Sequence, residues 1–271
     1  MTATLATQTP SQHQVFAIRF ATVERKAVDN FLLRDGHDGV MPLDFFVWLV
    51  RGPHGDILVD TGFSEASSIA RKRNFIMHPV DAIQAMGLAP ADVKHIVLTH
   101  LHYDHAGNTD AFTNARIHIQ EREMHYATGR YMCHHSLNHF FAVDDVKNMV
   151  EHTFAGRTEF HDGDATVVPG VTLHRIGGHT DGLQVVRVFT ERGWIVLASD
   201  AAHYYDNMLE HNPFPAIFNL GEMLEGYRHI ATLADSPDHV VPGHDPLVLK
   251  RYPSAGITGV EAVALHLPPT H

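Results

Sequence analysis

Cysteine, positive charge and long apolar runs are scarce in this sequence of 271 residues. The single cysteine, Cys133, excludes an internal disulfide and a cysteine-based zinc ribbon, so we expect a reducing, cytoplasmic environment. No run approaches the roughly 18 apolar residues of a membrane-spanning helix. Twenty Lys and Arg against 31 Asp and Glu give a net charge of −11, which argues against a surface for nucleic-acid phosphates. We therefore expect neither a membrane nor a nucleic acid as partner.

No feature of the sequence marks a boundary between domains. We find no internal repeat, no low-complexity block and no Pro/Gly/Ser-rich linker in the middle of the chain. We predict a flexible N-terminal tail over residues 1–14 and a single domain over residues 15–271. Short segments rich in Val, Ile and Phe alternate with helical patterns at Pro79–Met86, Glu121–Tyr126, Val143–Glu151 and Leu220–Ala234. This alternation predicts an α/β protein whose sheets are covered by helices.

Histidine, in contrast, is abundant, with 24 residues. Neutral imidazole is a common ligand for borderline metals such as zinc, but only spacing separates ligands from other histidines. Four strand-like segments end directly in a polar cluster, at Asp60, His100, Asp200 and His244. A side chain just beyond a buried strand is held rigidly and still faces a ligand.

The densest cluster is His100-Leu-His102-Tyr-Asp104-His105. His100 and His102 are two residues apart, so in an extended segment both imidazoles point to the same side and can share one metal ion. Asp104 and His105 follow at a turn and can face a second ion. A histidine-rich surface loop is the alternative, which the spacing and the preceding strand disfavour.

Three later residues can complete the ligand set. His179 lies in a glycine-lined turn, Asp200 ends an apolar strand and His244 follows Pro-Gly. Taken singly, each is equally well explained as a loop histidine or a turn or cap residue. Taken together, they predict one ion on His100, His102 and His179, a second on Asp104, His105 and His244, and a bridging carboxylate from Asp200.

The motif resembles the HxHxDH signature of the metallo-β-lactamase superfamily, and the resemblance runs from about Phe16 to His244. The 21-residue step from His179 to Asp200 and the 44-residue step from Asp200 to His244 are similar to those of N-acyl homoserine lactonases. The resemblance implies an α/β fold, an αβ/βα four-layer sandwich of two mixed sheets with the metals at one edge. It also implies two Zn²⁺ per chain, which Fe, Mn or Co could replace, and a role for Asp60 in orienting a ligand histidine. A turn-initiating aspartate is the alternative for Asp60.

One position departs from the lactonase pattern. These lactonases carry a tyrosine three residues after the bridging aspartate, where this chain has His203, followed by Tyr204. Either residue is a candidate for holding the substrate carbonyl, and capping or packing is the alternative for both. Asp104 is the candidate for protonating the departing alkoxide.

The resemblance implies a metal-dependent hydrolase of carboxylic ester bonds that opens a lactone ring, with N-acyl homoserine lactones as substrates, as in quorum quenching. Two metals activate water and polarise the carbonyl, so no side-chain nucleophile is needed and Cys133 is interpreted as a packing residue. The apolar segments 31–46 and 124–141 are candidates for the wall around an acyl chain. A homodimer is compatible with the sequence.

The main alternative is a glyoxalase-II-like thioesterase or another metal-dependent ester hydrolase. Glyoxalase-II-type enzymes have an added C-terminal helical region, whereas 27 residues follow His244 here. Flavodiiron redox proteins replace the second motif histidine with glutamate, whereas His102 is present. A non-catalytic binding protein is disfavoured by the complete ligand set.

Overall fold

The computed structural model describes residues 10–34 and 39–270, so most of the predicted tail lies outside the described residues. The described strands are β1 (Gln14–Val23), β2 (Leu43–Arg51), β3 (Ile57–Val59), β4 (His95–Val97), β5 (Arg116–Gln120), β6 (Thr158–His161), β7 (Ala165–Val168), β8 (Val171–Arg175), β9 (Gln184–Thr190), β10 (Gly193–Ser199), β11 (Val240–Pro242) and β12 (Ala262–Ala264). They form one sheet in the order β12-β1-β2-β3-β4-β5-β6 and another in the order β11-β10-β9-β8-β7.

Helices cover the outer faces of both sheets. The α-helices are α1 (Glu65–Arg71), α2 (Pro79–Ala85), α3 (Glu121–Thr128), α4 (His135–Asn138), α5 (Val143–Phe154), α6 (Tyr205–Leu209), α7 (Leu220–Leu233) and α8 (Leu247–Arg251). The four predicted helices correspond to α2, α3, α5 and α7. None of the described helices is long and apolar enough to cross a membrane.

The strand β2 shows why the sheets are buried on both faces. Its sequence is almost continuously apolar, and successive side chains point to opposite sides of the sheet. Phe45, Val47 and Leu49 pack in the core beneath the helices, whereas Phe46 and Trp48 pack in the core between the two sheets.

The second sheet is covered on its outer face by α7. Asn219 caps this helix by accepting a hydrogen bond from Glu222 N, and the buried stripe of Met223, Tyr227 and Ile230 packs in a third core. The layers therefore run helix, sheet, sheet, helix. The predicted αβ/βα sandwich of two mixed sheets is confirmed.

Parallel pairing brings the reactive residues to one edge. Strand β3 runs parallel to β4, and β10 runs parallel to β11, so their C-terminal ends lie side by side. Asp60 and Ser199 take left-handed backbone conformations where β3 and β10 end, with φ of 59° and 45°. The Oγ atoms of Thr99 and Ser199 lie 2.9 Å apart and connect the two sheets at this edge.

A buried carboxyl near the start of α5 generates a pH prediction. Asp145 is 3% exposed and its Oδ2 atom has no hydrogen-bond partner. Burial raises the pKa of Asp145 to about 7, and Asp144 and Asp110 act in the same direction. Because the folded pKa lies above the unfolded value of about 4, the stability present below pH ~4 is lost as the pH rises toward 7.

Asp145→Asn should therefore raise the free energy of unfolding at pH ~8, by up to about 4 kcal/mol, and change it little at pH ~4. Urea denaturation at both pH values measures this difference. Asp81→Asn is the matched control, because Asp81 is exposed and also lies in the first turn of a helix, α2. An equal gain at both pH values would contradict the explanation.

Candidate metal centre

The seven predicted metal ligands converge at the shared C-terminal edge of the two sheets. Their ligand atoms form two groups, within each of which all atoms lie within 4.8 Å of one another. The first contains His100, His102, His179 and Asp200, and the second contains Asp104, His105 and His244. All are buried except Asp104, whose side chain is 11% exposed.

The Asp200 carboxylate lies between the two groups. Its Oδ2 atom is 3.3 Å from His179 Nε2 and 3.9 Å from His100 Nε2. Its Oδ1 atom is 3.2 Å from His105 Nε2 and 3.0 Å from His244 Nε2. Each oxygen therefore faces a different group, which is the geometry that a bridging carboxylate requires.

Backbone carbonyls orient two of the imidazole rings. His179 Nδ1 donates to Ala216 O at 2.6 Å, and His244 Nδ1 donates to Asp44 O at 2.7 Å. A proton held on Nδ1 leaves the lone pair on Nε2, the nitrogen that faces Asp200. The rings are thus fixed in the tautomer suited to binding a metal through Nε2.

Asp60 orients a third ring. It accepts hydrogen bonds from His105 Nδ1 at 2.7 Å, from Thr99 N at 2.7 Å and from Thr99 Oγ1 at 2.8 Å. Burial raises the pKa of Asp60, although His105 and Thr99 act in the opposite direction. The contact with a candidate ligand histidine is therefore present, and it gives Asp60 more than a turn-forming role.

The chemistry of the donor atoms fits divalent metal ions. His100 Nε2 is buried without a hydrogen-bond partner, which costs about 1–3 kcal/mol unless another group binds it. His102 Nδ1 and His179 Nε2 lie 2.9 Å apart, with their rings inclined at 71° and the ring centroids only 4.6 Å apart. The two nitrogens therefore converge at an angle, as ligands of one ion do.

Burial sets the charge state of the first group. It lowers the pKa of His100 and His102 well below the usual value, and that of His179 to about 3. Neutral imidazole is the form that binds metal. Burial also lowers the pKa of His105, but Asp200 and the other nearby carboxylates outweigh it and raise that pKa well above its usual range. The second group is therefore the more negative environment.

The structure separates the two candidates for holding the substrate. His203 lies at the site, with Nε2 3.0 Å from Asp200 Oδ2 and its ring stacked 3.9 Å from that of Phe214. Tyr204 is completely buried, and its hydroxyl donates to Pro42 O at 3.1 Å. It does not line the cavity, so the idea that Tyr204 contacts substrate is not supported; it packs in the core at the start of α6.

A cavity of about 360 Å³ opens onto the candidate ligands. Both predicted wall segments contribute, through Leu43 and Phe45 from one and His139 and Phe140 from the other. Residues 35–38 of the first segment lie outside the described residues. The cavity is also lined by three arginines that sequence analysis did not identify, Arg25, Arg71 and Arg73. Cys133 is exposed, so its interpretation as a packing residue is wrong, and it does not line the cavity.

Comparison with known proteins identifies the family. The family model of the metallo-β-lactamase superfamily matches residues 43–249, about three quarters of the chain. The chain belongs to the metallo-β-lactamase superfamily. The prediction of this family is confirmed. The prediction of a hydrolase is confirmed by the similar lactonases described next.

Several of the similar proteins are lactonases by name. The chain is 30% identical to an N-acyl homoserine lactonase of Bacillus thuringiensis over 65% of this chain and 70% of the relative. It is 27% identical to the N-acyl homoserine lactonase AttM of Rhizobium radiobacter, over 86% and 93%. A crystal structure of a quorum-quenching N-acyl homoserine lactone hydrolase is 26% identical, with a TM-score of 0.70 and coverage of 88% of this chain and 93% of the other.

Glu123 is a supporting residue that sequence analysis missed. Its carboxylate accepts hydrogen bonds from Leu101 N at 2.9 Å, Thr180 Oγ1 at 2.6 Å and Gly182 N at 3.0 Å. Burial raises the pKa of Glu123 to about 7. A Cβ atom on Gly182 would lie 2.2 Å from Glu123 N, so glycine permits the close approach. Glu123 thereby ties the loop of the superfamily motif to the loop that carries His179.

A second histidine cluster has a different geometry. His118 lies between His95 and His161 on adjacent parallel strands, with nitrogen pairs 2.9 Å and 3.0 Å apart. The ring centroids are 5.1 Å and 5.3 Å apart, so each pair of nitrogens lies close to the line between its rings. This is the geometry of N–H···N hydrogen bonds. We therefore do not assign this cluster as a metal site.

The contact between Asp60 and His105 generates a prediction on metal affinity. Asp60→Asn keeps the size of the side chain but removes one of the acceptors that fix the His105 ring, so zinc affinity should fall about 10–100-fold. Competition with a chelator of known affinity measures this. The exposed Asp92→Asn is the control. Unchanged affinity in Asp60→Asn would show that the contact does not orient a ligand.

Proposed function

We propose that this protein is a dinuclear zinc hydrolase that opens a lactone ring, with N-acyl homoserine lactones as its first candidate substrates and quorum quenching as the type of activity. The observation that carries the proposal is the position of Asp200, with one oxygen toward each group of candidate ligands. Support comes from the similar lactonases, which match the chain at 27–31% identity. Opening the ring breaks the acyl C–O bond and yields a carboxylate and a hydroxyl group.

The seven residues of the two groups would hold the metals. Zinc ions bound there would supply a water that is nucleophilic near neutral pH and a Lewis acid for the substrate carbonyl. Asp104 is the proposed proton donor to the leaving alkoxide, because its carboxylate lines the cavity, with Oδ1 3.8 Å from His105 Nε2 and Oδ2 4.0 Å from His244 Nε2.

His203 is proposed as a residue that positions Asp200. Its Nε2 atom donates to Asp200 Oδ2, and burial lowers its pKa to about 4. A neutral ring that donates its one proton to Asp200 has no second proton for a substrate carbonyl. In this arrangement, His203 therefore does not replace the tyrosine hydroxyl of the lactonase pattern as a donor to the substrate.

The cavity suits a small ester with an apolar part. Its volume of about 360 Å³ is at the lower end of the range for small-molecule sites. Phe45, Phe140 and Phe214 supply apolar wall. A lactone ring with a short acyl chain is the class of substrate that this space favours.

The proposal predicts that zinc-loaded protein hydrolyses lactones faster than thioesters, β-lactams or phosphodiesters of similar size. Chelation should abolish the activity and zinc should restore it, because the donor atoms converge on metal positions. Asp200→Ala should lower kcat/KM by about 10³-fold or more and reduce the zinc content, since both groups lose their shared oxygen donors. His203→Ala should have a smaller effect.

The measurement is a hydrolysis screen paired with elemental analysis of each preparation. Asp206→Ala is the control, because Asp206 is exposed in the neighbouring helix α6. Protein that leaves every lactone intact and cleaves a thioester or phosphodiester at an ordinary enzymatic rate would overturn the lactonase proposal and leave the family assignment in place.

A further inference from the structure

Three arginines line the same cavity as the candidate metal ligands. Arg25 follows strand β1, Arg71 is the last residue of α1, and Arg73 lies two residues beyond it. All three side chains are partly buried. Among the residues that the structure describes, no carboxylate oxygen lies within 4 Å of any of these guanidinium groups.

Arg71 is held in place by neutral groups. Its Nη2 atom donates to the carbonyls of His139 at 2.7 Å and Phe141 at 3.1 Å. Its guanidinium carbon lies 3.8 Å from the centroid of the Tyr103 ring. Asp145 acts on Arg71 only at longer range. Carbonyl and aromatic partners fix the orientation of the group without neutralising its charge.

The other two arginines show the same pattern. Arg25 donates from Nε to Asn30 Oδ1 at 2.7 Å and from Nη2 to the carbonyl of Asp29 at 2.8 Å, and it lies 5.0 Å from the centroid of the Phe214 ring. Arg73 has a buried Nε atom with no hydrogen-bond partner. The Arg73 charge has no carboxylate partner among the described residues, and an anion bound in the cavity would supply one.

A second cavity begins where these arginines lie. It has a volume of about 460 Å³ and shares Val23, Arg25 and Arg73 with the cavity at the metal centre. Its lining also contains Glu24, Lys26 and Asp29. The two cavities are therefore adjacent and share two arginines, Arg25 and Arg73.

This concentration of charge has an electrostatic cost. Three cationic groups share one cavity with a site for two divalent cations, and like charges in a partly desolvated space repel one another. The protein as a whole carries a net charge of −11, whereas this cavity is lined by three arginines and two carboxylates, Asp104 and Asp200. An anionic group on the ligand would remove the repulsion.

We propose that the natural substrate carries an anionic group, a carboxylate or a phosphate, which Arg25, Arg71 and Arg73 bind while the lactone carbonyl lies at the metal centre. This inference rests on the proposed lactonase function. It makes the three arginines determinants of substrate specificity, because a guanidinium binds a carboxylate or phosphate through two parallel hydrogen bonds. A neutral acyl chain would leave the three charges without an anionic partner.

The test uses the zinc-loaded enzyme and homoserine lactones whose acyl chains have the same length and end in a methyl, a carboxylate, a phosphonate or an ammonium group. We expect kcat/KM for an anionic lactone to exceed that for the methyl-ended lactone by about 10-fold or more, and the ammonium-ended lactone to be the poorest. The better of the two anionic lactones identifies the anion. Added salt should reduce the preference, because screening weakens charge pairing.

Variants test whether the arginines cause the preference. Arg71→Gln and Arg73→Gln remove charge and retain polar side chains, so each should lower the ratio of anionic to neutral kcat/KM by about 10-fold. Arg228→Gln is the matched control, because the Arg228 side chain is 75% exposed on helix α7. The ratio of anionic to neutral kcat/KM for Arg228→Gln should equal that of the wild type. Circular dichroism and zinc content confirm that each variant is folded and loaded.

The outcomes separate this inference from the proposed function. Cleavage of none of the lactones contradicts the lactonase proposal itself. Cleavage of the methyl-ended lactone as well as or better than both anionic lactones overturns the anion inference and leaves the lactonase proposal intact. The anion inference is also overturned, and the lactonase proposal again left intact, if the wild type prefers an anionic lactone but neither arginine variant changes that preference.

Discussion

The Asp200 carboxylate is the contact on which the rest of the site depends. Its two oxygens face two groups of histidine nitrogens, and each group combines residues from loops of both sheets. A carboxylate in this position can serve two cations only if the ends of strands β4 and β10 are fixed relative to each other. The 2.9 Å contact between Thr99 and Ser199, one residue before His100 and one before Asp200, meets this requirement. The position of this carboxylate thus depends on the alignment of the two sheets at this edge.

The groups around the centre are preorganised by bonds that do not involve a metal. Asp60 and two backbone carbonyls fix the tautomers of His105, His179 and His244. Glu123 connects the two loops that supply the first group of ligands. Ligands held in this way need little rearrangement to bind an ion, which favours affinity and a defined geometry. Under the proposed function, the arginine-lined cavity would add charge selectivity to this centre.

The clustering of the candidate metal ligands was predictable from the sequence because its signal is local. The spacing of His100, His102, Asp104 and His105 encodes a shared orientation, and Asp60, Asp200 and His244 each end an apolar strand. The αβ/βα sandwich was expected from the family resemblance, whereas the alternation of short apolar segments with helical patterns indicated only sheets covered by helices. Four of the helices also had clear apolar periodicity, whereas short elements such as α1 and β12 gave too few residues for a pattern.

The remaining features depend on which way a side chain points in the folded chain. His203 and Tyr204 are adjacent in sequence, yet one faces the cavity and the other donates its hydroxyl to Pro42 inside the core. The roles of Glu123, Arg71 and Arg73 arise from contacts between distant segments, and no spacing rule indicates them. Such tertiary contacts are set by packing, so a single sequence carries no local signal for them.

Zinc-edge anomalous diffraction from crystals grown with zinc tests the central claim most directly. We expect two peaks per chain, about 3.5–4 Å apart. Asp200 Oδ2 should bind the ion on His100, His102 and His179, and Asp200 Oδ1 should bind the ion on Asp104, His105 and His244. A single peak, or two peaks that Asp200 does not connect, would contradict it.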